Sequence, residues 1–142
     1  MYKEAYKEDI EKFIVFINDL ATDLFYDQLM CDGEVMFQCG ACYEFIKIIK
    51  KYFDIQNILV NKEYNHCAFE YNGNYYDSKG IIDNRENFSI ATEIDMLYII
   101  ERFGGNLSGY HIYENMINEL SKIEEIPHLP QKFYSKKRMK NV

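Results

Sequence analysis

The chain has 142 residues, 48% of them hydrophobic and 16% aromatic, which is enough to bury one core and short for two domains. Its formal charge of −7 speaks against general nucleic-acid binding, because phosphate contacts need a basic surface. No apolar run reaches the roughly 18 residues of a membrane span, and the charged start "MYKEAYKEDIEKF" excludes a secretory signal.

In chain order, Ile10, Phe13, Ile14, Ile17, Leu20, Ala21, Leu24 and Phe25 recur at helical spacing and predict a long amphipathic helix over residues 6–29. Asp32-Gly33 predicts a turn. A second helix follows "FQCGACYEFIKIIKKYF", with Phe45, Ile46, Ile49, Tyr52 and Phe53 on one stripe and Lys50 and Lys51 near its negative end. Ile58-Leu59-Val60 reads as a buried strand. "HCAFEYNGNYYDSKG" gives two alternating segments joined by Asn72-Gly73, a strong hairpin signal.

Past Ile82 the pattern becomes helical again. Thr92 is placed to cap a helix over 93–103, with Ile94, Leu97 and Ile100 facing inward and Gly104-Gly105 ending it. A last helix is expected between about Tyr110 and Ile123. These elements make an α+β domain over residues 1–126: helices, a small antiparallel sheet, then helices. Residues 127–142 read as a basic, flexible tail; Lys132, Lys136, Lys137, Arg138 and Lys140 lie in it from Gln131 onward with no acid. Such a tail is either a solvated end or a contact for an acidic partner or RNA.

Four cysteines in a chain without a leader point to free thiols in a reducing compartment, the cytoplasm of a bacterium or of an infected host cell. Cys39 and Cys42 have the spacing of a zinc knuckle, with Cys31, His66 or Cys67 as further ligands. His66 and Cys67, however, are neighbours on a strand and point to opposite faces, so no metal site is expected. A dithiol redox site would require a preceding strand, where a helix and a turn-rich loop stand instead. The remaining readings are a small core residue and a thiol nucleophile. Cys42 lies one turn before Phe45 and Ile46, on the inward stripe at a helix start, where a thiolate is favoured.

Of the three histidines, only His66 lies on a strand that follows the cysteine helix. If Asn72-Gly73 form a two-residue turn, Tyr71 pairs with Asn74, and His66 and Asp77 become diagonal neighbours on one face of the ribbon. A carboxylate there can orient an imidazole and stabilise its charged form. A one-residue slip would send Asp77 to the opposite face. Each residue alone has a plain structural reading; their order and spacing together favour a nucleophile, base and orienting acid.

"CGACYEF" resembles the Cys-Gly-[Ser/Ala]-Cys-[Trp/Tyr] signature of papain-like cysteine proteases. It is similar also to small bacterial and phage papain-fold proteins, including papain-fold toxin domains. In those, a Gly-small-Cys-Tyr helix is followed by a strand with His and a hairpin ending in Tyr-Asp-x-x-Gly. Here these are Gly40-Ala41-Cys42-Tyr43, His66 and Tyr76-Asp77-Ser78-Lys79-Gly80, within residues 36–82. The resemblance implies a papain-like fold with Cys42 as nucleophile, Cys39 as the alternative, His66 as base and Asp77 as orienter. Gln38 resembles the oxyanion-hole glutamine, although it stands four residues before Cys42, closer than in papain. The Cys42 backbone N–H is a further donor.

Two functions from different classes follow. The first is a thiol hydrolase or acyl transferase acting on an amide bond, of protease, deamidase or transglutaminase type, with no cofactor and a protein or peptide substrate. The second is a non-catalytic phage or mobile-element protein that binds and inhibits a host defence or regulatory factor, its acidic surface docking a basic partner.

Overall fold

The computed structural model describes residues 2–38, 40–103 and 111–130, with side chains from Asp9 onward and excluding that of Phe103. Helix α1 spans Tyr2–Leu29. Ile10, Phe13, Ile14, Ile17, Ala21 and Phe25 recur along it every three or four residues and are all buried, as an apolar stripe facing a core requires.

Where the sequence suggested only a turn, a four-residue helix α2 (Gly33–Met36) begins, with Asp32 at its N-cap in extended conformation. The Gly33 N–H donates to Thr22 Oγ1 at 2.8 Å. A Cβ on Gly33 would run into the Asn18 carbonyl and come within 2.8 Å of the Ala21 Cβ, so the close crossing of α2 over α1 depends on glycine. Gly33→Ala is therefore expected to destabilise the fold by about 1–3 kcal/mol through overpacking, read as a lower urea midpoint. An unchanged midpoint would mean that the two helices have room to part.

Helix α3 is Cys42–Tyr52. Phe45, Ile46, Ile49, Tyr52 and Phe53 are buried as expected, together with Ile48. Phe45 stands 4.9 Å from the Phe37 ring centroid and 6.3 Å from that of Phe69, so aromatic contact fixes α3 to the sheet.

Five strands follow in one antiparallel sheet: β1 (Asn57–Asn61), β2 (Cys67–Tyr71), β3 (Asn74–Asp77), β4 (Gly80–Ile81) and β5 (Phe88–Ile90), in the order β4-β3-β2-β1-β5. A 3-10 turn at Arg85–Asn87 leads into β5. The hairpin has the predicted register, with Tyr71 opposite Asn74 and Phe69 opposite Tyr76. Asn72 and Gly73 take φ of 50° and 80°, the left-handed pair that a tight hairpin turn needs. Val60, Cys67, Phe69, Tyr71 and Tyr76 join the main core, while Leu59, Ala68 and Ile82 form a small cluster of their own with Tyr75 and Phe88.

Helix α4 (Glu93–Phe103) starts at a reciprocal cap: the Thr92 N–H donates to Asp95 Oδ2 and the Asp95 N–H to Thr92 Oγ1. Its inward face differs from expectation. Ile94, Leu97 and Ile100 are 79%, 69% and 48% exposed, and the helix instead buries Ile99, with Met96 packed beside it. The segment "EIDMLYIIERF" is apolar on more than one side, so several stripes fit it, and docking against α3 chose the Met96–Ile99 side. Gly104-Gly105 and Tyr110 lie outside the described residues.

Helix α5 (Ile112–Ser121) buries Ile112, Met116 and Leu120. His111, its N-cap, supplies no side-chain hydrogen bond. Instead the buried Glu44 carboxylate of α3 accepts the Tyr113 N–H at 2.6 Å, and the Lys47 ammonium stands 4.4 Å over the Tyr113 ring. Leu129 and Pro130 are buried, so packing continues past residue 126; the basic stretch from Gln131 lies outside the described residues. The architecture is α+β: N-terminal helices, a five-stranded antiparallel sheet and C-terminal helices.

Candidate active site

His66 stands immediately before β2. Asn61 fixes it there: its Oδ1 accepts the N–H groups of Asn65 (3.0 Å) and His66 (3.1 Å), and its own N–H donates to the His66 carbonyl. The imidazole also meets the Phe88 ring edge-on at 6.2 Å. Asp77 ends β3, with Oδ1 accepting the Lys79 N–H at 2.9 Å. Because the register is as predicted, Asp77 lies on the His66 side of the ribbon, and its Oδ2 is 3.0 Å from His66 Nε2. Both side chains are nearly buried, 12% and 13% exposed, so solvent screens this pair little.

Cys42 opens α3 and is 2% exposed. The second ring nitrogen of His66, Nδ1, is buried and has no hydrogen-bond partner of full geometry among the described residues. Cys42 is nevertheless close enough for thiol and ring to shift each other's ionisation. The structure thus brings Cys42, His66 and Asp77 into one cluster. The Cys67 sulfur is 3.1 Å from that of Cys42, a contact the sequence reading did not foresee. Cys67 is the first residue of β2 and points into the core that α3 covers, while His66 stands just outside the strand, at its end.

Gln38, at the end of the turn after α2, reaches the Asp77 strand end. Its Nε2 donates to Ser78 Oγ at 2.8 Å, and its amide helps to hold Asp77 as a carboxylate. Ser78 Oγ in turn donates to the Glu34 carbonyl at 2.9 Å, and the Ser78 carbonyl accepts from Asn18 Nδ2 at 2.8 Å. Asn18 and Ser78 therefore pin the Asp77 strand end to α1 and α2. Sequence reasoning passed over both; the one available signal was a polar Asn18 next to the buried stripe of α1. The N-cap of α3 is Ala41, without a side-chain cap, so no side chain of its own cap competes for the first-turn N–H groups, that of Cys42 among them. Cys39 lies outside the described residues.

The electrostatics follow from these contacts. Contact with the Cys67 thiol is the largest influence on Cys42 and lowers its pKa; burial opposes it, and the His66 ring adds to it. Cys67 is correspondingly raised, by Cys42 first and by burial second. Burial disfavours charge on His66, but the bonds to Asp77 and Cys42 outweigh it and raise the ring to about 9. Burial likewise works against the Asp77 carboxylate, and His66, the Lys79 N–H and Gln38 reverse that and lower it. On balance these contacts favour negative charge on Cys42 and Asp77 and positive charge on His66.

A pH signature results. The imidazole contribution to stability is complete below its unfolded value of about 6.5 and disappears as pH rises through about 9. Cys42 runs the other way: its contribution is present above the unfolded thiol value of about 8.5 and is lost as pH falls toward the lowered native value. Between about 6.5 and 8.5 the proton gained by His66 is the one given up by Cys42, and the two slopes cancel. Urea unfolding is therefore expected to be nearly pH-independent across that window for the native chain. For Cys42→Ser stability should fall by on the order of 1 kcal/mol between pH 6.5 and 9; equal pH slopes in the two proteins would refute the ion pair.

Beside the cluster lies an open cleft of about 520 Å³, bordered by Gln38, Asn61, Asp77, Lys79, Asn84 and Phe88 among others. Its lining is largely polar, suited to a hydrogen-bonding chain rather than an apolar ligand. Among the described residues no group of three or more His, Cys, Asp or Glu side chains is placed to hold a metal ion. No described helix is long and apolar enough to cross a membrane.

Comparison with known proteins gives one family. The model of a family described as phage YunG-like protein matches residues 17–137, most of the chain and all of the cluster. No curated protein and no solved structure matches it.

Proposed function

The chain belongs to the phage YunG-like protein family, and for this phage-related small protein we propose a thiol-dependent hydrolase or acyl transferase that acts on an amide bond through Cys42, His66 and Asp77. The observation that carries the reading is the His66–Asp77 pair, Nε2 to Oδ2 at 3.0 Å, with Nδ1 buried and Cys42 near enough to influence the ring; the reading assigns Nδ1 to the Cys42 sulfur. A cysteine helix laid on an antiparallel sheet that carries the histidine and the acid is also what the papain-like resemblance implies.

In this mechanism the Cys42 thiolate attacks the amide carbon. A C–S bond forms, and the carbonyl π pair moves to oxygen, where the Cys42 backbone N–H donates to it. Collapse expels the amine, which takes the Nδ1 proton of His66. Neutral His66 then accepts a proton from water or an incoming amine as that nucleophile attacks the thioester, and Cys42 leaves as thiolate. Asp77 accepts Nε2–H throughout and keeps the ring aimed. The side chains supply every group required, so no cofactor enters. Because Cys42 is almost buried, the substrate is a slender one, a peptide or protein side chain. The reduced thiols of Cys42 and Cys67 suit the reducing cytoplasm of a bacterium or an infected host cell.

The test is covalent trapping: a peptide vinyl sulfone is expected to form one adduct, at Cys42, by intact and peptide mass, and none with Cys42→Ala. Absence of any adduct across a set of varied peptides would overturn the reading.

One observation favours a second reading, a non-catalytic binder of a host defence or regulatory factor. Ile90, Ile94, Leu97 and Ile100 on β5 and α4 are 48–79% exposed, a run of apolar side chains of the kind protein partners cover. Under that reading the biological effect survives Cys42→Ala and is lost with Leu97→Asp; the enzyme reading expects the reverse.

A further inference from the structure

Cys67 is a buried thiol to which the mechanism above gives no part. It is 1% exposed and joins the main core, and its only polar contact with a described side chain is the Cys42 sulfur at 3.1 Å. Two sulfurs at that distance, neither oxidised, can hold one proton between them. Which of them holds it is decided by their neighbours. Cys42 has the His66 ring beside it and the Cys67 backbone N–H close by, both favouring negative charge. Cys67 has the apolar core, which disfavours charge.

We propose that Cys67 keeps its proton and donates S–H to the Cys42 thiolate, and that this bond sets the pH range in which Cys42 is a nucleophile. The inference rests on the thiol-enzyme reading and extends it with a residue whose effect has an unusual sign. A hydrogen bond to the ground-state thiolate draws off electron density that must move to the substrate oxygen in the transition state. It therefore makes more thiolate at low pH and makes each thiolate less reactive. Removing the donor should slow the enzyme in acid and speed it in alkali. Loosened packing has no such signature, because it lowers the rate at every pH.

The experiment is the rate of Cys42 alkylation by iodoacetamide between pH 4.5 and 10, followed by peptide mass, in the native chain, Cys67→Ala and Cys67→Ser. With a nucleophilicity that follows thiol basicity at a Brønsted slope of about 0.45, each unit by which Cys67→Ala raises the inflection lowers the acid-limb rate about 3.5-fold and raises the alkaline plateau about 2.8-fold. The two profiles cross. Cys67→Ser, which keeps a donor on a shorter bond to Cβ, should fall between them and preserves the measurement if the alanine variant folds poorly.

A native profile with a low inflection that Cys67→Ala leaves in place, or lowers uniformly in rate, overturns this inference and leaves the enzyme reading standing. A native inflection in the ordinary thiol range, about 8.5, overturns both.

Discussion

At pH 6, iodoacetamide is expected to modify Cys42 on the order of tenfold faster than the thiol of a short unstructured peptide, and His66→Ala is expected to remove that preference. The size follows from two opposed effects. An ordinary thiol is well under 1% ionised at pH 6, whereas contact with Cys67 and His66 lowers the Cys42 thiol to about 5. A low-pKa thiolate is the weaker nucleophile, however, and at a Brønsted slope of 0.4–0.5 that returns most of the gain, leaving about one order of magnitude. Loss of the imidazolium raises the Cys42 pKa and moves the advantage to higher pH, so the comparison is sharpest in mild acid. Asp77→Asn should show an intermediate loss, since the ring stays in place but its charged form is no longer stabilised. Slow, equal labelling of every accessible thiol in the native protein would be incompatible with an activated Cys42.

The largest effect on folding is expected from Phe45→Ala. Phe45 is 2% exposed and packs between Phe37 and Phe69, and Phe69 is stacked on Tyr76 at 5.7 Å. Deleting the ring removes its burial and leaves a cavity that flanking aromatics fill only in part, at a cost of about 3–5 kcal/mol. Against a total stability of about 5–15 kcal/mol for a domain, that is a large share. The urea midpoint should drop accordingly. Phe45 is also one turn beyond Cys42 on the same face of α3, so the variant should lose Cys42-selective labelling even at temperatures where it remains folded. A midpoint within about 1 kcal/mol of the native chain would mean that α3 is seated by other contacts.

Much of the cluster was legible because local rules decide it. Asn72-Gly73 fixes a two-residue turn, the turn fixes the register, and the register alone puts Asp77 on the His66 side of the ribbon. The stripe through Phe45, Ile46 and Ile49 likewise turns Cys42 inward. Long-range choices were less legible. Strands β4 and β5 have two and three residues, too few to show alternation, and both exist because the ladders of β3 and β1 present open edges to them. The orientation of α4 was misjudged because its apolar residues surround the axis, and only the neighbour it meets selects a side. Ser78 and Asn18 escaped notice because a single serine or asparagine carries no pattern; their role depends on elements 60 residues apart meeting. The Cys42–Cys67 contact needed both the alternation of β2 and the seating of α3 over that face, and only the first can be read in one dimension.

The carboxylate that α3 lends to the start of the last helix has a mechanical meaning. Glu44 is two positions along from Cys42, and one hydrogen bond, Tyr113 N–H to Glu44, yokes the C-terminal helix to the turn that carries the sulfur. A shift of that helix therefore bears on the first turn of α3, through this bond and the Lys47–Tyr113 contact.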